Sequence, residues 1–191
     1  MRTRFRFRRW FLTSQFSAEK TEAGFDVAVS RFKFANFKIS KIDLSKSKHG
    51  KDFGSGFYLS DNFEQTMEMA KFKSEVFGGI PTVMEYEFDE AGAENSALKI
   101  LIFSEYSKEW AEFVFKNRTS DSSEIKNEYD IVIGPIANDK VGAQIRRLIE
   151  KDIDFDTFLH RIKYMKGLTL QYFFGTEKAV SFFKLKRSIS Q

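Results

Sequence analysis

Cysteine is absent from this 191-residue chain, which excludes a disulfide scaffold, a thiolate zinc site and a cysteine nucleophile together. A cytoplasmic setting is therefore the default expectation. Histidine occurs only at His49 and His160, and there is no HExxH or CxxC and no clustered His/carboxylate set, so no metal is expected. No apolar run approaches the roughly 18–20 residues that a membrane span needs. The first residues, MRTRFRFRRWFL, are basic like the start of a signal peptide, but Ser14, Gln15, Glu19 and Lys20 follow where an apolar stretch belongs, and no secretion signal is expected. Proline, at 2 residues, is too scarce for a Pro-rich linker or a disordered chain.

Phenylalanine is abundant instead, at 23 residues, and so many rings must pack mostly inside regular elements. The length suits one domain, preceded by an extension over 1–24 that closes in the polar turn Glu19–Gly24; residues 25–191 then form the domain. Net charge is only +4, yet five arginines fall within the first nine residues. That arm, with interleaved aromatics, suits nucleic acid, a membrane surface or an acidic partner, and equally an edge-pairing extension.

Periodicity predicts strands over 25–37, 83–88, 98–103 (as a central strand), 129–134 and 168–174. It predicts helices over 61–76, capped by Asp61 with Phe63, Met67, Ala70 and Val76 inward, and over 107–118, 140–151, 154–165 and 179–183. The basic end Lys184–Arg187 reads as exposed. Strands and helices interleave without the regular period of a doubly wound sheet, so the expected class is α+β, with mixed or antiparallel sheets and flanking helices.

Neither a P-loop nor a GxGxxG fingerprint is present, and Asp52-Phe53-Gly54 lacks every companion motif of a kinase. What remains is DFGSGFYL, in which Asp52, Gly54, Gly56, Phe53, Phe57 and Tyr58 crowd into eight residues. Glycines admit a ligand close to the backbone, and aromatics offer faces to a planar ring. A bulged hairpin with ordinary core aromatics is the competing reading.

DFGSGFYLS followed by FEQTMEMA resembles a stretch of the bacterial domain of unknown function 3990 family, which is similar to ADP-ribosyltransferases. PTVMEYEFD, LKILIF, KEWAEFVFKNR, YDIVIGPIANDKV and LQYFFGTEKAV continue the resemblance in order, through most of the chain after Arg31. It implies an ADP-ribosyltransferase-like fold and NAD as substrate, with ADP-ribose passed to a macromolecular acceptor, protein or nucleic acid. A bacterial or phage toxin or defence effector, held by an antitoxin or regulatory protein, is the implied setting. The same resemblance implies Tyr58 and Gln171 as catalytic residues, and Arg31, Lys33, Asp52, Phe53, Gly54, Gly56 and Phe57 as the NAD-binding set. It also matches Arg118, Asp130, Gly134, Asn138 and Asp139, where helix-end and capping roles serve as well. One departure stands out: the family's His-Gly pair is replaced by Lys33-Phe34, with Arg31 close by as another anchor. A catalytically inactive domain of this fold, binding a nucleotide, a protein or nucleic acid, is the alternative.

Overall fold

The computed structural model describes residues 28–35, 39, 41–119, 128–137, 139–162 and 169–191. The expected basic arm, the 24/25 boundary, most of the polar loop after Thr119, Asn138 and Leu168 lie outside these residues.

Among the described residues, one seven-stranded sheet carries β1 (Ala28–Ala35), β2 (Phe57–Ser60), β3 (Thr82–Asp89), β4 (Ile100–Ile102), β5 (Ile131–Pro135), β6 (Leu170–Phe174) and β7 (Phe183–Ser190). Their order is β4-β5-β6-β2-β1-β3-β7. Only the β4–β5 pair is parallel, so the class is α+β with a mostly antiparallel sheet. Six helices accompany it: α1 (Phe63–Phe77), α2 (Glu90–Asn95), α3 (Lys108–Thr119), α4 (Asp139–Ile149), α5 (Phe155–Ile162) and α6 (Glu177–Val180).

The two halves of the sheet meet weakly. β1 follows β3 along its whole length, from Ala28↔Asp89 to Ala35↔Thr82, and β2 follows β6 from Phe57↔Phe174 to Ser60↔Gln171. Between β1 and β2 the register holds only at Phe32↔Ser60. Beyond that pair the strands part, leaving Lys33, Phe34 and Ala35 across a seam from Phe57 and Tyr58.

Alternation along the strands sends residues to two faces. One face collects Phe57, Leu59, Tyr86, Phe88, Tyr172 and Phe174 in a core closed by α2 and α6. The other presents Val132 and Phe173 to Trp110, Val114, Ile145 and Phe158 of α3, α4 and α5. Val83 on that same face meets Met67 and Ala70 of α1.

Several expectations are corrected. The cap of α1 is Asn62, whose side chain accepts from the Gln65 N–H at 2.9 Å, one residue after Asp61. Val76 belongs to the outer side of that helix and is 55% exposed. The 98–103 run is an edge strand, not a central one; it is short because it pairs only with β5. The last helix ends at Val180, and Lys184–Arg187, exposed as expected, belongs to β7, a strand that its polar outward residues had hidden. There the buried Glu85 carboxylate gathers Arg187 at 2.5 Å, Lys186 at 3.4 Å and the Ser30 hydroxyl at 2.7 Å, so basic residues stabilise this edge. α2 likewise escaped the sequence; Asp89 caps it by accepting from the Gly92 N–H at 2.7 Å.

Gly56 is dictated by packing. A Cβ there would sit 2.7 Å from the Phe174 carbonyl oxygen and 2.9 Å from Phe173 Cδ2, whereas at Gly50, with φ +70°, a Cβ meets nothing within 4 Å. Gly56→Ala should therefore cost about 1–3 kcal/mol of overpacking, lowering the thermal midpoint by several degrees. Gly50→Ala should cost only the left-handed backbone penalty of about 1 kcal/mol. A smaller loss of midpoint in Gly56→Ala than in Gly50→Ala in a thermal melt would contradict this account of β2 against β6.

Candidate functional site

The segment before β2 is organised around Asp52, which is 7% exposed. Its Oδ1 accepts from Arg118 at the end of α3, from Nε at 2.7 Å and Nη2 at 2.5 Å. Its Oδ2 accepts from the Ala137 N–H at 3.2 Å and from Gln171 Nε2 at 2.8 Å. One buried carboxylate thus ties the loop to α3, to the strand exit after β5, and to β6. A buried charge needs such a set of donors.

Phe53 then turns inward and is fully buried, with its ring 6.3 Å from Phe103 and 6.0 Å from Phe113. It is a core plug and offers no face to a ligand. Gly54 has φ +93°, a left-handed conformation that suits glycine, and a Cβ there would lie 3.1 Å from Asn117 Oδ1. Tyr58 closes the turn: its hydroxyl donates to the Gly54 carbonyl at 2.6 Å and accepts from the Phe53 N–H at 3.1 Å. Burial pushes that hydroxyl far above the ordinary tyrosine range, so it holds its proton. The ring packs edge-on against Phe173 at 5.3 Å.

Gln171 lies on the same sheet face as Tyr58. It sits between Ser60 on β2 and Gly134 on β5, which has no side chain to cover it. Its amide nitrogen donates to Asp52 Oδ2 and, at 3.3 Å, to the Pro135 carbonyl. Both donors are thereby used, and the amide oxygen Oε1 is left to accept.

The remaining nominated residues lie across the sheet. Arg31, 2% exposed, donates from Nη2 to Glu90 at 2.7 Å and to the Tyr172 hydroxyl at 2.9 Å, with its guanidinium 4.0 Å from the Tyr172 ring centroid. It staples β1 to β6 over β2. Glu90, although paired, is shifted upward by its burial. Phe57 belongs to the core of that face, stacked on Phe183 at 5.6 Å.

Lys33 occupies the seam itself. Its Nζ lies 5.1 Å from the Phe57 ring centroid and 5.3 Å from that of Phe34, and those rings belong to opposite faces. Burial, followed by the charges of Lys51 and Lys73, pulls its pKa down to about 8. The sheet thus brings Asp52, Tyr58 and Gln171 together, sets Arg31 and Phe57 on the far face, and holds Lys33 between.

Sequence reasoning passed over Arg118 as the partner of Asp52, and over Lys51 and Lys73; contacts spanning 66 residues leave no local signal. Asp130 is structural: it accepts from the Lys99 N–H and the Thr176 hydroxyl, each at 2.8 Å, joining β4, β5 and α6. Asp139 is the first residue of α4. An open cavity of about 420 Å³ lies outside Arg118, lined also by Gly142, Ile145, Arg146 and Ile149, and it contains neither Tyr58 nor Gln171. Among the described residues there is no group of three or more metal-ligating side chains, and no helix is long and apolar enough to cross a membrane.

Lys33 gives a pH signature. Its folded pKa of about 8 lies below the unfolded value of 10.5, so the unfolded chain binds more protons between these values and stability rises with pH there. Lys33→Met removes the buried charge. The variant should melt higher than the parent at pH 7, and the gap should shrink by pH 9.5. A gap that stays constant across this range would contradict the depressed pKa.

The family model described as "Protein of unknown function (DUF3990)" matches residues 32–185. No curated protein and no solved structure matches the chain. The match runs from the middle of β1 into β7 and takes in the Asp52 loop, Gln171 and the seam. By that match, the chain belongs to the DUF3990 family, whose function is unknown.

Proposed function

We propose that this protein takes ADP-ribose from NAD and transfers it to a macromolecular acceptor, protein or nucleic acid, at the seam between β1 and β2, on an ADP-ribosyltransferase-like fold. The observation that carries the reading is the fixed amide of Gln171. Asp52 Oδ2 and the Pro135 carbonyl take both of its N–H donors, which leaves the amide oxygen as the group with accepting capacity to offer. An acceptor held in advance, next to the β2 residue that faces β1, is what a ribose hydroxyl requires.

In this reading the bond from ribose C1′ to the nicotinamide nitrogen breaks, and nicotinamide leaves with the bonding pair. The resulting oxocarbenium-like ribosyl centre is captured by a nucleophile of the acceptor, which gives up its proton to water. Gln171 accepts from a ribose hydroxyl and orients the sugar; an amide does not serve as a base. Asp52 is a positioning residue acting through Gln171. Tyr58 keeps its proton and shapes the loop, so its part is to hold that loop beside Gln171.

A second reading, a catalytically inactive nucleotide-binding domain, is favoured by the occupied state of two nominated groups. Arg31 is already engaged by Glu90 and Tyr172, and the Tyr58 hydroxyl by its own loop. Calorimetry with NAD, followed by nicotinamide release in the same sample, separates the readings. The transferase reading expects binding and release by the parent protein, with release lowered about 100-fold in Gln171→Ala and binding changed only a few-fold. Binding without release would select the inactive domain. Absence of NAD binding at millimolar concentration, or undiminished release by Gln171→Ala, would overturn the transferase reading.

A further inference from the structure

We propose that Lys33, Lys51 and Lys73 form a site for the phosphate groups of a small-molecule diphosphate. The three lysines come from β1, from the loop that leads into Asp52, and from α1; Lys33 and Lys73 meet at one ring, and the charge of Lys51 acts on both. Lys33 Nζ and Lys73 Nζ stand 5.3 Å and 5.2 Å from the centroid of the same Phe34 ring. Lys48, in the same loop as Lys51, adds to the field at Lys73.

Among the described residues none of these four lysines forms an ion pair. The arginines that the fold takes out of water, Arg31 and Arg118, each meet a carboxylate. Aromatic faces hold Lys33 and Lys73 in place, but a ring quadrupole compensates only part of a desolvated ammonium charge. Like charges assembled without counter-charge are destabilising, and a polyanion that arrives between them is attracted by all of them.

The shape of the site favours a small molecule over a polymer. Lys33 stands between the rings of Phe34 and Phe57 and is partly covered, whereas Lys51 is exposed. A nucleic-acid backbone is met by a track of exposed cations, and here Lys33 is partly covered. Two adjoining phosphates would span from the partly covered lysine to the exposed one. As a subsite for the diphosphate bridge of NAD this rests on the transferase reading; as an anion site it stands without that reading.

Inorganic pyrophosphate, titrated into the full chain by calorimetry, tests the site directly. Lys33→Gln and Lys73→Gln are compared with Lys71→Gln, which removes an exposed lysine of α1 outside the cluster, and with Lys33→Arg, which keeps the charge. Thermal melts verify that each variant is folded. The expected result is binding by the parent, weakened roughly tenfold in Lys33→Gln and in Lys73→Gln, as for loss of one charge-assisted hydrogen bond, and retained in Lys71→Gln and Lys33→Arg. No binding by the parent overturns the site, as does equal weakening by Lys71→Gln, which would mark a diffuse field. Binding of a single-stranded oligonucleotide that depends on Lys33 while pyrophosphate is silent also overturns it. Pyrophosphate binding without NAD binding keeps the site and removes the transferase reading; NAD binding unchanged by Lys33→Gln, with pyrophosphate silent, does the reverse.

Discussion

The carboxylate of Asp52 is buried, and a buried charge that lost its donors would cost several kcal/mol, so everything that donates to it is held in register. Arg118 fixes the end of α3, the Ala137 N–H fixes the exit from β5, and Gln171 fixes a side chain in the middle of β6. These three elements are distant in sequence and converge on one loop. The loop's other features follow from being pinned there: Phe53 drops into the core beneath Gly134, Gly54 turns with positive φ, and Tyr58 seals the turn with two hydrogen bonds. The motif is thus first a structural tie, and its product is the fixed side-chain amide of Gln171.

The seam between β1 and β2 is the second constraint. A sheet joined at one register pair leaves ladder groups unmatched beyond it, and such a gap persists only where something else ties the halves together. Arg31 does this by reaching from β1 to Tyr172 on β6, with Glu90 completing its charge. The residue best suited by type to grip a ribose or phosphate is therefore spent on holding the sheet. Lys33, two positions on, inherits the open position, because the strands have parted by then and its side chain enters the gap.

How much of this was legible in the sequence depended on the range of the contacts. Elements with strong local periodicity, such as α3 with Trp110 and Val114 or β3 with Tyr86 and Phe88, were readable, because burial of one face repeats within a few residues. β7 was not: Lys184, Lys186 and Arg187 look like a solvated tail, and it is pairing with β3, where Glu85 lies 102 residues from Arg187, that makes them strand residues. The cap of α1 slipped by one position because Asp61 and Asn62 are both good caps, and the burial of Asp61 beside Arg31 leaves Asn62 to do the work. At the site, the resemblance paired Tyr58 with Gln171 and put Asp52 among the NAD-binding residues, but not that Asp52 binds Gln171 or that Arg31 faces away; both facts arise from sheet pairing.

Lys33-Phe34, where the resemblance implies a His-Gly pair, reads in the sequence like loss of a site. In the fold Lys33 is itself a group that titrates near neutrality. Histidine ordinarily titrates near 6.5, and burial together with Lys51 and Lys73 brings Lys33 down to about 8, so both side chains can gain or lose a proton near physiological pH. Phe34, far from filling the gap, packs toward α1 with Phe32 and Met67, and supplies the ring over which both Lys33 and Lys73 rest. The pair is therefore coherent as a unit: the phenylalanine builds a wall that holds two ammonium groups together, and the lysine brings charge to the place where the sheet opens. The proposed anion site accounts for both residues at once, because the ring and the ammonium groups it carries then serve one end.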